Sequence, residues 1–264
     1  MTAGREQLRR TFDEDAERYD RARPHYPAEL VADLADLAGI GPGSRVLEIA
    51  PGTGQLTVPL AAMGCTVTAV ELGPALAAVA RRNLASFPGA NVVNSAFEDW
   101  PLPAEPFDTA VCATALHWFD PAAWVTKVAD ALRPGGSVAT VATHHVAGGS
   151  LAFAADSQAC YERWDASSQP GFQLPTAEEI PRDSRDLDES GRLARPVFRR
   201  FELDLEYTAD AFVDTLRTYS NIASMAPTAR DGLLSCLAGL IESRYGGRIT
   251  KRYLFELRVA RRLP

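Results

Sequence analysis

A glycine-bearing turn stands between two carboxylates in the first half of the chain, in the segment LEIAPGTGQLTV of residues 47–58. Glu48 precedes the turn, which contains Gly52 and Gly54. Glu71 ends the next apolar run, seventeen positions after Gly54. A glycine turn after a buried strand lets a ligand approach the backbone, and an acid after the second strand accepts ribose hydroxyls. This spacing predicts a nucleotide-like ligand at the carboxyl edge of an open α/β sheet.

The carboxylate of Glu48 bears on the charge of that ligand. A pyrophosphate at a helix N-terminus carries concentrated negative charge, which an acid just before the turn would repel, whereas a ligand with an ammonium and a sulfonium would be attracted. Counted from Gly52, the third glycine of the dinucleotide fingerprint GxGxxG is replaced by Thr57. Counted from Ala50, it is replaced by Gln55. A dinucleotide is therefore disfavoured, although it stays open as an alternative.

Short apolar runs alternate with helical patterns through the first half of the chain. The predicted strands cover residues 44–50, 66–72, 91–96, 107–114 and 134–145. Strands that alternate with helices at this spacing predict βαβ units and a mostly parallel sheet buried on both faces. Two later runs, 198–208 and 250–263, alternate apolar and polar residues, which is typical of antiparallel strands at a sheet edge. The chain is therefore predicted to be an α/β protein.

The predicted division of the chain into segments follows from where the alternation of strands and helices stops. Residues 147–197 contain GG, QPG and LPT turns and a polar stretch, which cannot continue the strand order. The predicted segments are an N-terminal lid at 1–28, a Rossmann-like cofactor-binding core at 29–146, a small cap insertion on the substrate side at 147–197, and the strands and late helices that complete the core sheet at 198–264.

Composition excludes some classes of partner. Acidic residues outnumber basic ones by 34 to 27 and give a formal charge of −7, which argues against a broad surface for nucleic acid or anionic membrane. No apolar run is long enough to span a bilayer, and the opening segment lacks the apolar stretch of a secretion signal. The four cysteines include no CxxC pair, so neither a zinc site nor a disulfide framework is predicted, and a reducing, cytoplasmic location is expected. Arg258, Arg261 and Arg262 are expected on the solvated edge of the last strand.

Several motifs in fixed order carry a family resemblance. EIAPGTG, VEL, SAFEDWP, FDTAVCATALHWFD and LRPGG together resemble the class I S-adenosylmethionine-dependent methyltransferases. The opening RRTFDEDAERYDRARPHYP and the HWFD segment are similar to the small-molecule branch that includes trans-aconitate methyltransferase-like proteins. The resemblance implies a Rossmann-like seven-stranded sheet, mostly parallel with an antiparallel final pair and helices on both faces. It also implies a small-molecule methyl acceptor and no required metal.

The same resemblance implies S-adenosylmethionine as the cofactor and assigns its contacts by position. These contacts are Glu48, Gly52 and Gly54 at the methionine part, Glu71 at the ribose, Leu72, Ala96, Phe97 and Glu98 around the adenine, and Ala113 near the methionyl backbone. The first glycine of the family's turn is Ala50 here. Its methyl group is expected to narrow the pocket or to exclude strained backbone angles, at some cost in affinity.

The N-terminal segment supplies further candidates. Tyr19 and Arg23 would share one helix face at i, i+4, while Pro24 and Pro27 would end that helix and turn the chain across the site. We expect Arg23 to hold the cofactor carboxylate, Tyr19 to close over the cofactor and Tyr26 to contact the substrate. The alternative is an ordinary solvated helix end.

The candidates for substrate chemistry follow the fourth and fifth strands and lie in the late helices. His117 is the predicted general base, because HWFD comes directly after the strand that faces the cofactor. Trp118, His144 and Tyr219 are predicted to contact the substrate. Each of these side chains has the alternative of packing in the core or bonding to backbone.

The leading hypothesis is methylation of a small molecule on oxygen, either a carboxylate or a hydroxyl, with nitrogen also open. The fourth-strand segment lacks the Asn/Asp-Pro-Pro-Tyr signature of enzymes that methylate the exocyclic amines of nucleobases. Two alternatives from other classes are a nicotinamide-dependent oxidoreductase and a catalytically silent cofactor-binding protein. Binding of a reduced dinucleotide would favour the first, and tight cofactor binding without methyl transfer would favour the second.

Overall fold

The computed structural model of the protein describes residues 12–188 and 190–264, so the first eleven residues of the predicted lid lie outside the described ranges. The strands are β1 (Arg45–Ile49), β2 (Thr66–Glu71), β3 (Ala90–Asn94), β4 (Phe107–Ala113), β5 (Leu132–His145), β6 (Val197–Thr208) and β7 (Arg248–Arg261). The helices are α1 (Ala16–Ala22), α2 (Ala28–Ala38), α3 (Thr57–Ala62), α4 (Pro74–Asn83), α5 (Pro121–Ala131), α6 (Leu151–Trp164), α7 (Arg185–Asp188), α8 (Ala209–Arg217), α9 (Ser220–Ala223) and α10 (Pro227–Arg244). A single 3₁₀ turn, Leu116–Trp118, follows β4 in the described part of the chain.

The strands form one seven-stranded sheet in the order β3-β2-β1-β4-β5-β7-β6. β1 pairs in parallel with β2 and β4, β2 with β3, and β4 with β5. β7 runs antiparallel to both β5 and β6. The predicted Rossmann-like sheet with an antiparallel final pair is confirmed. Its strand order reverses between β1 and β4, and open α/β sheets bind ligands at the carboxyl ends of strands beside such a switch point.

Helices cover both faces of this sheet because the central strands are apolar on both sides. Val46 of β1 belongs to a buried cluster that contains Leu30 of α2. Leu47, its neighbour in sequence, belongs to a second cluster that contains Trp124 of α5. Successive strand residues point to opposite faces, so these two clusters lie on the two sides of the sheet. No helix in the described ranges is long and apolar enough to cross a membrane.

The cap region begins with α6, which packs against α10. Cys160 of α6 and Cys236 of α10 form a disulfide, although they are 76 positions apart in sequence. The expectation that the cysteines form no disulfide is therefore wrong for this pair, because helix packing brings their Cα atoms to 5.8 Å. The argument for a reducing compartment from cysteine usage no longer holds. Cys65 and Cys112 are buried free thiols.

The basic run at the end of β7 also differs from expectation. Arg258 is only 8% exposed, and its Nη1 lies 2.9 Å from Oδ1 of Asp186. Its Nε donates to Oγ1 of Thr140 at 2.9 Å. The prediction of a solvated edge is wrong for this residue, because β7 lies between β5 and β6 and β6 is the edge strand.

Candidate functional site

A cavity of about 960 Å³ opens beside the switch point. We call one part of its wall the turn end, formed by Ala50, Gly52, Glu71, Leu72 and Ala113. The other part is the cap end, to which β5, α6, α8, β7 and the turn after α8 contribute side chains. They include His145, Phe153, Tyr161, Phe212, Tyr219, Lys251, Tyr253 and Phe255. This volume lies at the upper end of the range of about 300–1,000 Å³ that small-molecule sites span.

The turn end rests on left-handed backbone. Gly52 has φ +63° and Gly54 has φ +99°, angles that L-residues rarely adopt. A Cβ on Gly52 would lie 3.1 Å from Cε1 of Tyr19, so the space beside this glycine is already closely packed. Ala50 also adopts a left-handed φ, +55°. The expectation that its methyl group excludes strained angles is corrected, because Ala50 takes the strained conformation, at a cost of about 1 kcal/mol.

Glu71 ties the turn to the end of β2. Its Oε2 accepts the N–H of Gly52 at 2.9 Å, and its Oε1 accepts the N–H of Gly73 at 2.8 Å. A carboxylate has about four acceptor positions, so these two bonds leave lone pairs for a ligand in the cavity. The side chain is 5% exposed, and burial raises its pKa to about 7 against the opposing effect of the backbone hydrogen bonds.

Glu48 lies beneath the turn and, among the described residues, does not belong to the cavity wall. It is 1% exposed, and its Oε2 has no hydrogen-bond partner in the described ranges. Burial, together with repulsion from Glu71, raises the pKa of Glu48 to about 7. A buried carboxyl with an unsatisfied oxygen is costly on its own and favours a cationic group nearby. The site therefore fits a ligand with positive charge better than a pyrophosphate.

Residues 12–28, which we call the N-terminal strap, join the core to the late helices. Asp13 caps α4, since its Oδ1 accepts the N–H groups of Ala75 and Leu76 at 2.7 and 2.9 Å. Arg18 donates from Nε to Oδ1 of Asp214 in α8 at 3.1 Å. The strap thus bridges the helix after β2 and the helix after β6. The side chains of Tyr19, Arg23 and Tyr26 in this strap line the cavity.

The guanidinium of Arg23 lies between the strap and the cap end. Its carbon is 5.0 Å from the ring centroid of Tyr19 and 4.6 Å from that of Tyr219. Nη2 donates to the carbonyl of Thr218 at 2.8 Å, and the buried Nε has no partner within the described residues. Arg23, Tyr19 and Tyr219 are therefore assembled as one unit, which places all three predicted residues on the same wall.

A hydroxyl chain crosses the boundary between the two ends. The Tyr26 hydroxyl lies 3.0 Å from Oγ1 of Thr114, and Thr114 Oγ1 lies 3.0 Å from Oγ1 of Thr143. Thr114 follows β4 and has φ +60°, a strained angle for a β-branched residue. Strain of this kind persists where surrounding contacts enforce it and is concentrated at functional sites. All three hydroxyls line the cavity and offer oriented polar contacts there.

His117 and Trp118 belong to the 3₁₀ turn after β4, and both line the cavity. The two rings lie 4.7 Å apart between centroids, and Trp118 meets the ring of Phe12 from the strap at 5.7 Å. His117 is exposed to solvent at the cavity rim. The turn therefore brings the predicted base to the site without burying it.

The predicted residues that are not brought to the cavity wall in the described part of the chain are Glu48, Gly54, Ala96, Phe97, Glu98 and His144. Phe97 is 3% exposed and packs edge-on against Phe119, which itself lines the cavity. The prediction that His144 contacts the substrate is corrected. Neighbouring residues of a strand face opposite sides of the sheet, so His145 faces the cavity while His144 lies near Glu256 and Arg258 on the other face.

Sequence reasoning passed over three cap-end residues: His145, Lys251 and Tyr253. The ring of His145 lies 5.4 Å from those of Tyr219 and Tyr253, and its buried Nδ1 has no partner among the described residues. Burial, with the charges of Lys251 and Arg23, holds the pKa of His145 well below its usual value. The ring is therefore neutral at pH 7, and the residue lines the cavity. Its signal was the alternation of β5, in which Val141, Thr143 and His145 share a face.

The described residues contain no cluster of His, Cys, Asp and Glu that would hold a metal ion. Comparison with known proteins adds an independent observation, since residues 46–136 match the family described as "Methyltransferase domain". This stretch is thus similar to a methyltransferase domain over about a third of the chain. It includes the glycine turn, Glu71 and the strand that precedes His117.

Proteins from distant organisms are similar to about half of this chain. An uncharacterized methyltransferase of Mycobacterium tuberculosis (strain ATCC 25618 / H37Rv) is 36% identical over 141 residues, which are 53% of this chain and 55% of that protein. An uncharacterized methyltransferase-like protein of Schizosaccharomyces pombe is 29% identical over 133 residues, 50% of this chain and 51% of that protein. The chain thus spans about half the length of the curated relatives it matches.

Solved structures share the whole fold. A provisionally assigned type II methyltransferase from Anaeromyxobacter dehalogenans superposes with a TM-score of 0.60 at 22% identity, over 92% of this chain and 99% of that one. Phosphoethanolamine N-methyltransferase 2 of Haemonchus contortus, solved with S-adenosyl-L-methionine, superposes with a TM-score of 0.54 at 18% identity, over 100% of this chain and 61% of that one. The [4+2]-cyclase SpnF superposes with a TM-score of 0.50 at 16% identity, over 92% of this chain and 84% of that one. At these identities the likeness shows the fold, and one fold hosts several reactions.

Proposed function

We propose that this chain is an S-adenosylmethionine-dependent methyltransferase that methylates a small molecule on oxygen. The observation that carries the proposal is Glu71, a buried carboxylate fixed by the N–H groups of Gly52 and Gly73 with lone pairs directed to a cavity. Its position after β2 suits ribose hydroxyls. The match of residues 46–136 to a methyltransferase domain supports the same conclusion.

Several residues would hold the cofactor. Glu71 would accept the ribose hydroxyls, and Leu72 would pack on the adenine. The unsatisfied oxygen of Glu48 beneath the turn favours the cationic methionine part. Arg23, with its unpartnered Nε, suits the cofactor carboxylate. When bound, the cofactor supplies a methyl group on a sulfonium, and the chain contributes position and exclusion of water.

The acceptor would bind at the cap end. Tyr26, Thr114 and Thr143 present hydroxyls that can orient an acceptor oxygen. A carboxylate acceptor needs no base, whereas a hydroxyl does. We propose two candidate bases, His117 at the rim and His145 inside the cavity. The neutral ring of His145 and its place on the cavity wall favour that residue for an acceptor held in the cap end.

The N-terminal strap supports the small-molecule branch of the family, which includes trans-aconitate methyltransferase-like proteins. Its bonds to α4 and α8 close the space above the turn, leaving a chamber sized for a small acceptor. A macromolecular acceptor would need an open groove. The acidic balance of the chain, with a formal charge of −7, also fits a small acceptor better than a nucleic acid.

Calorimetric titration of the purified protein with S-adenosylmethionine, S-adenosylhomocysteine and NADH tests the proposal. We expect the two sulfur ligands to bind and NADH not to bind. Transfer of a labelled methyl group to a panel of hydroxyl, carboxylate and amine compounds then distinguishes oxygen from nitrogen acceptors. Binding of NADH alone would replace the proposal with hydride transfer. Tight cofactor binding without transfer to any acceptor would favour a silent cofactor-binding protein.

A further inference from the structure

One charged side chain stands among apolar ones on the cavity face of β7. Ile249, Lys251, Tyr253 and Phe255 alternate along the strand, and all four line the cavity. Because side chains in a strand alternate with a period of two, these residues share one face. Lys251 is the exception in an otherwise apolar and aromatic row, so its ammonium is directed to the cap end.

The side chain of Lys251 makes no ion pair and no hydrogen bond with any residue of the described ranges, although its backbone belongs to the β6–β7 ladder. Its Nζ lies 5.8 Å from the ring centroid of Phe212 and 5.5 Å from that of Tyr253. Arg252, the next residue, instead pairs with Asp204 at 2.7 Å and Glu202 at 3.1 Å. Burial lowers the pKa of Lys251 to about 8, so the amine is still mostly protonated at pH 7.

Lysine is rare in this chain, which makes Lys251 a stronger candidate for ligand binding. Of the 27 basic residues only Lys127 and Lys251 are lysines. Lys127 already has hydrogen-bond partners, since its Nζ donates to the carbonyls of Glu98 and Trp100 at 2.8 and 2.6 Å. A partly buried ammonium without an ion-pair or hydrogen-bond partner is costly, and such groups in a cleft are candidates for ligand binding. Asp165, an acid on the same wall, is already bonded to Ser167.

We propose that Lys251 binds a carboxylate of the methyl acceptor, an assignment that rests on the proposed function of the cavity. A single ammonium matches a single negative charge. A phosphate dianion would call for a second cation, and the guanidinium of Arg252 is committed to Asp204 and Glu202. The rings of Phe212 and Tyr253 beside Nζ favour an aromatic or apolar body next to that carboxylate.

The place of Lys251 along β7 separates this anchor from the reacting group. Tyr253 pairs with His145 across the sheet, and Lys251 lies two residues further along β7. Two residues of strand span about 7 Å. The carboxylate held by Lys251 is therefore distinct from the oxygen that would lie beside His145 and the Thr114–Thr143 hydroxyls. The acceptor then carries two functional groups, an anchoring carboxylate and a second oxygen that receives the methyl group.

The test compares matched charged and neutral probes. Protein saturated with S-adenosylhomocysteine is titrated calorimetrically with 4-hydroxyphenylacetate, 3-phenylpropionate and hexanoate, and with the amide of each. The variants are Lys251→Met, Lys251→Arg and, as a matched control, Lys127→Met. We expect at least one acid to bind wild type roughly tenfold or more tightly than its amide, since an ion pair in a desolvated site is worth at least that factor. Lys251→Met should abolish this preference, whereas Lys251→Arg and Lys127→Met should keep it.

Chemical modification of the lysine amine gives a second test that does not rely on binding affinities. An amine-selective acylating reagent should modify Lys251 at pH 8, and the bound acid should protect it while the amide should not. Failure of every acid to bind, or an acid preference that survives in Lys251→Met, would overturn the assignment. Titration of the same preparations with S-adenosylhomocysteine keeps the outcomes apart. Cofactor binding without acid binding refutes the anchor alone, whereas acid discrimination without cofactor binding refutes the methyltransferase proposal.

Discussion

Replacing Glu71 with alanine removes the acceptor that holds the glycine turn and that we assign to the ribose. In the protein this carboxylate accepts the N–H groups of Gly52 and Gly73 at 2.9 and 2.8 Å. A hydrogen bond to a charged group contributes about 1.5–3 kcal/mol, and each ribose hydroxyl would lose one such partner. Water that enters the space left by the side chain restores part of the loss. We therefore expect S-adenosylhomocysteine to bind about 3 kcal/mol more weakly, which is roughly 150-fold in Kd.

The same carboxyl sets the pH dependence of binding. Burial raises its pKa to about 7 in the free protein. The ionised form accepts bonds from both hydroxyls, so binding favours loss of the proton and affinity rises with pH. The ionised fraction increases from about a tenth at pH 6 to about nine tenths at pH 8, which allows up to a roughly tenfold gain in affinity. Glu71→Ala should lack this gain.

Calorimetric titration of wild type, Glu71→Ala and Glu105→Ala at pH 6, 7 and 8 measures both effects. Glu105 is an exposed carboxylate that pairs with Arg45 at 3.1 Å, so its removal controls for the loss of one negative charge. Any titration of the ligand's own amino group contributes equally to all three proteins. An affinity of Glu71→Ala within threefold of wild type, or an unchanged pH dependence in a natively folded variant, would refute the ribose assignment.

Other single substitutions separate the remaining assignments. For a hydroxyl acceptor, His145→Gln should lower turnover about 100-fold in the labelled-methyl assay with cofactor affinity unchanged, and more than His117→Gln does; small losses in both would mean that neither acts as the base. Ala50→Gly should raise the free energy of unfolding by about 0.5–1 kcal/mol in urea denaturation, since glycine adopts the left-handed φ of +55° without strain, and a decrease would contradict that account. Cys236→Ser should lower it by about 4 kcal/mol, given the 76 positions between Cys160 and Cys236. Thiol titration of the denatured, unreduced protein should find two free thiols, and finding all four would disprove the pairing.

The fold was readable because its determinants are local and periodic. A run such as Val46, Leu47 and Ile49 is apolar on both faces of the strand, which in an α/β chain is typical of a central parallel strand. Each predicted strand lies within about two residues of the observed one. The disulfide was not readable in this way. Cys160 and Cys236 meet only because α6 packs on α10, and no local pattern in either helix specifies that packing.

The residues of the turn end were likewise easier to predict from the sequence than those of the cap end. A contact at the turn end follows from the position of a residue in a motif. A contact at the cap end depends on the face of its strand or helix on which the side chain lies. Gly52 and Glu71 reach the cavity through a turn and a strand end that the spacing already specifies. His144 and His145 stand together after β5, and only the direction of the strand decides that His145 faces the ligand. Lys251 carried a readable signal, since it interrupts an apolar row at every second position of β7. A charged residue on the buried face of a strand is therefore worth treating as a candidate site even where no motif surrounds it.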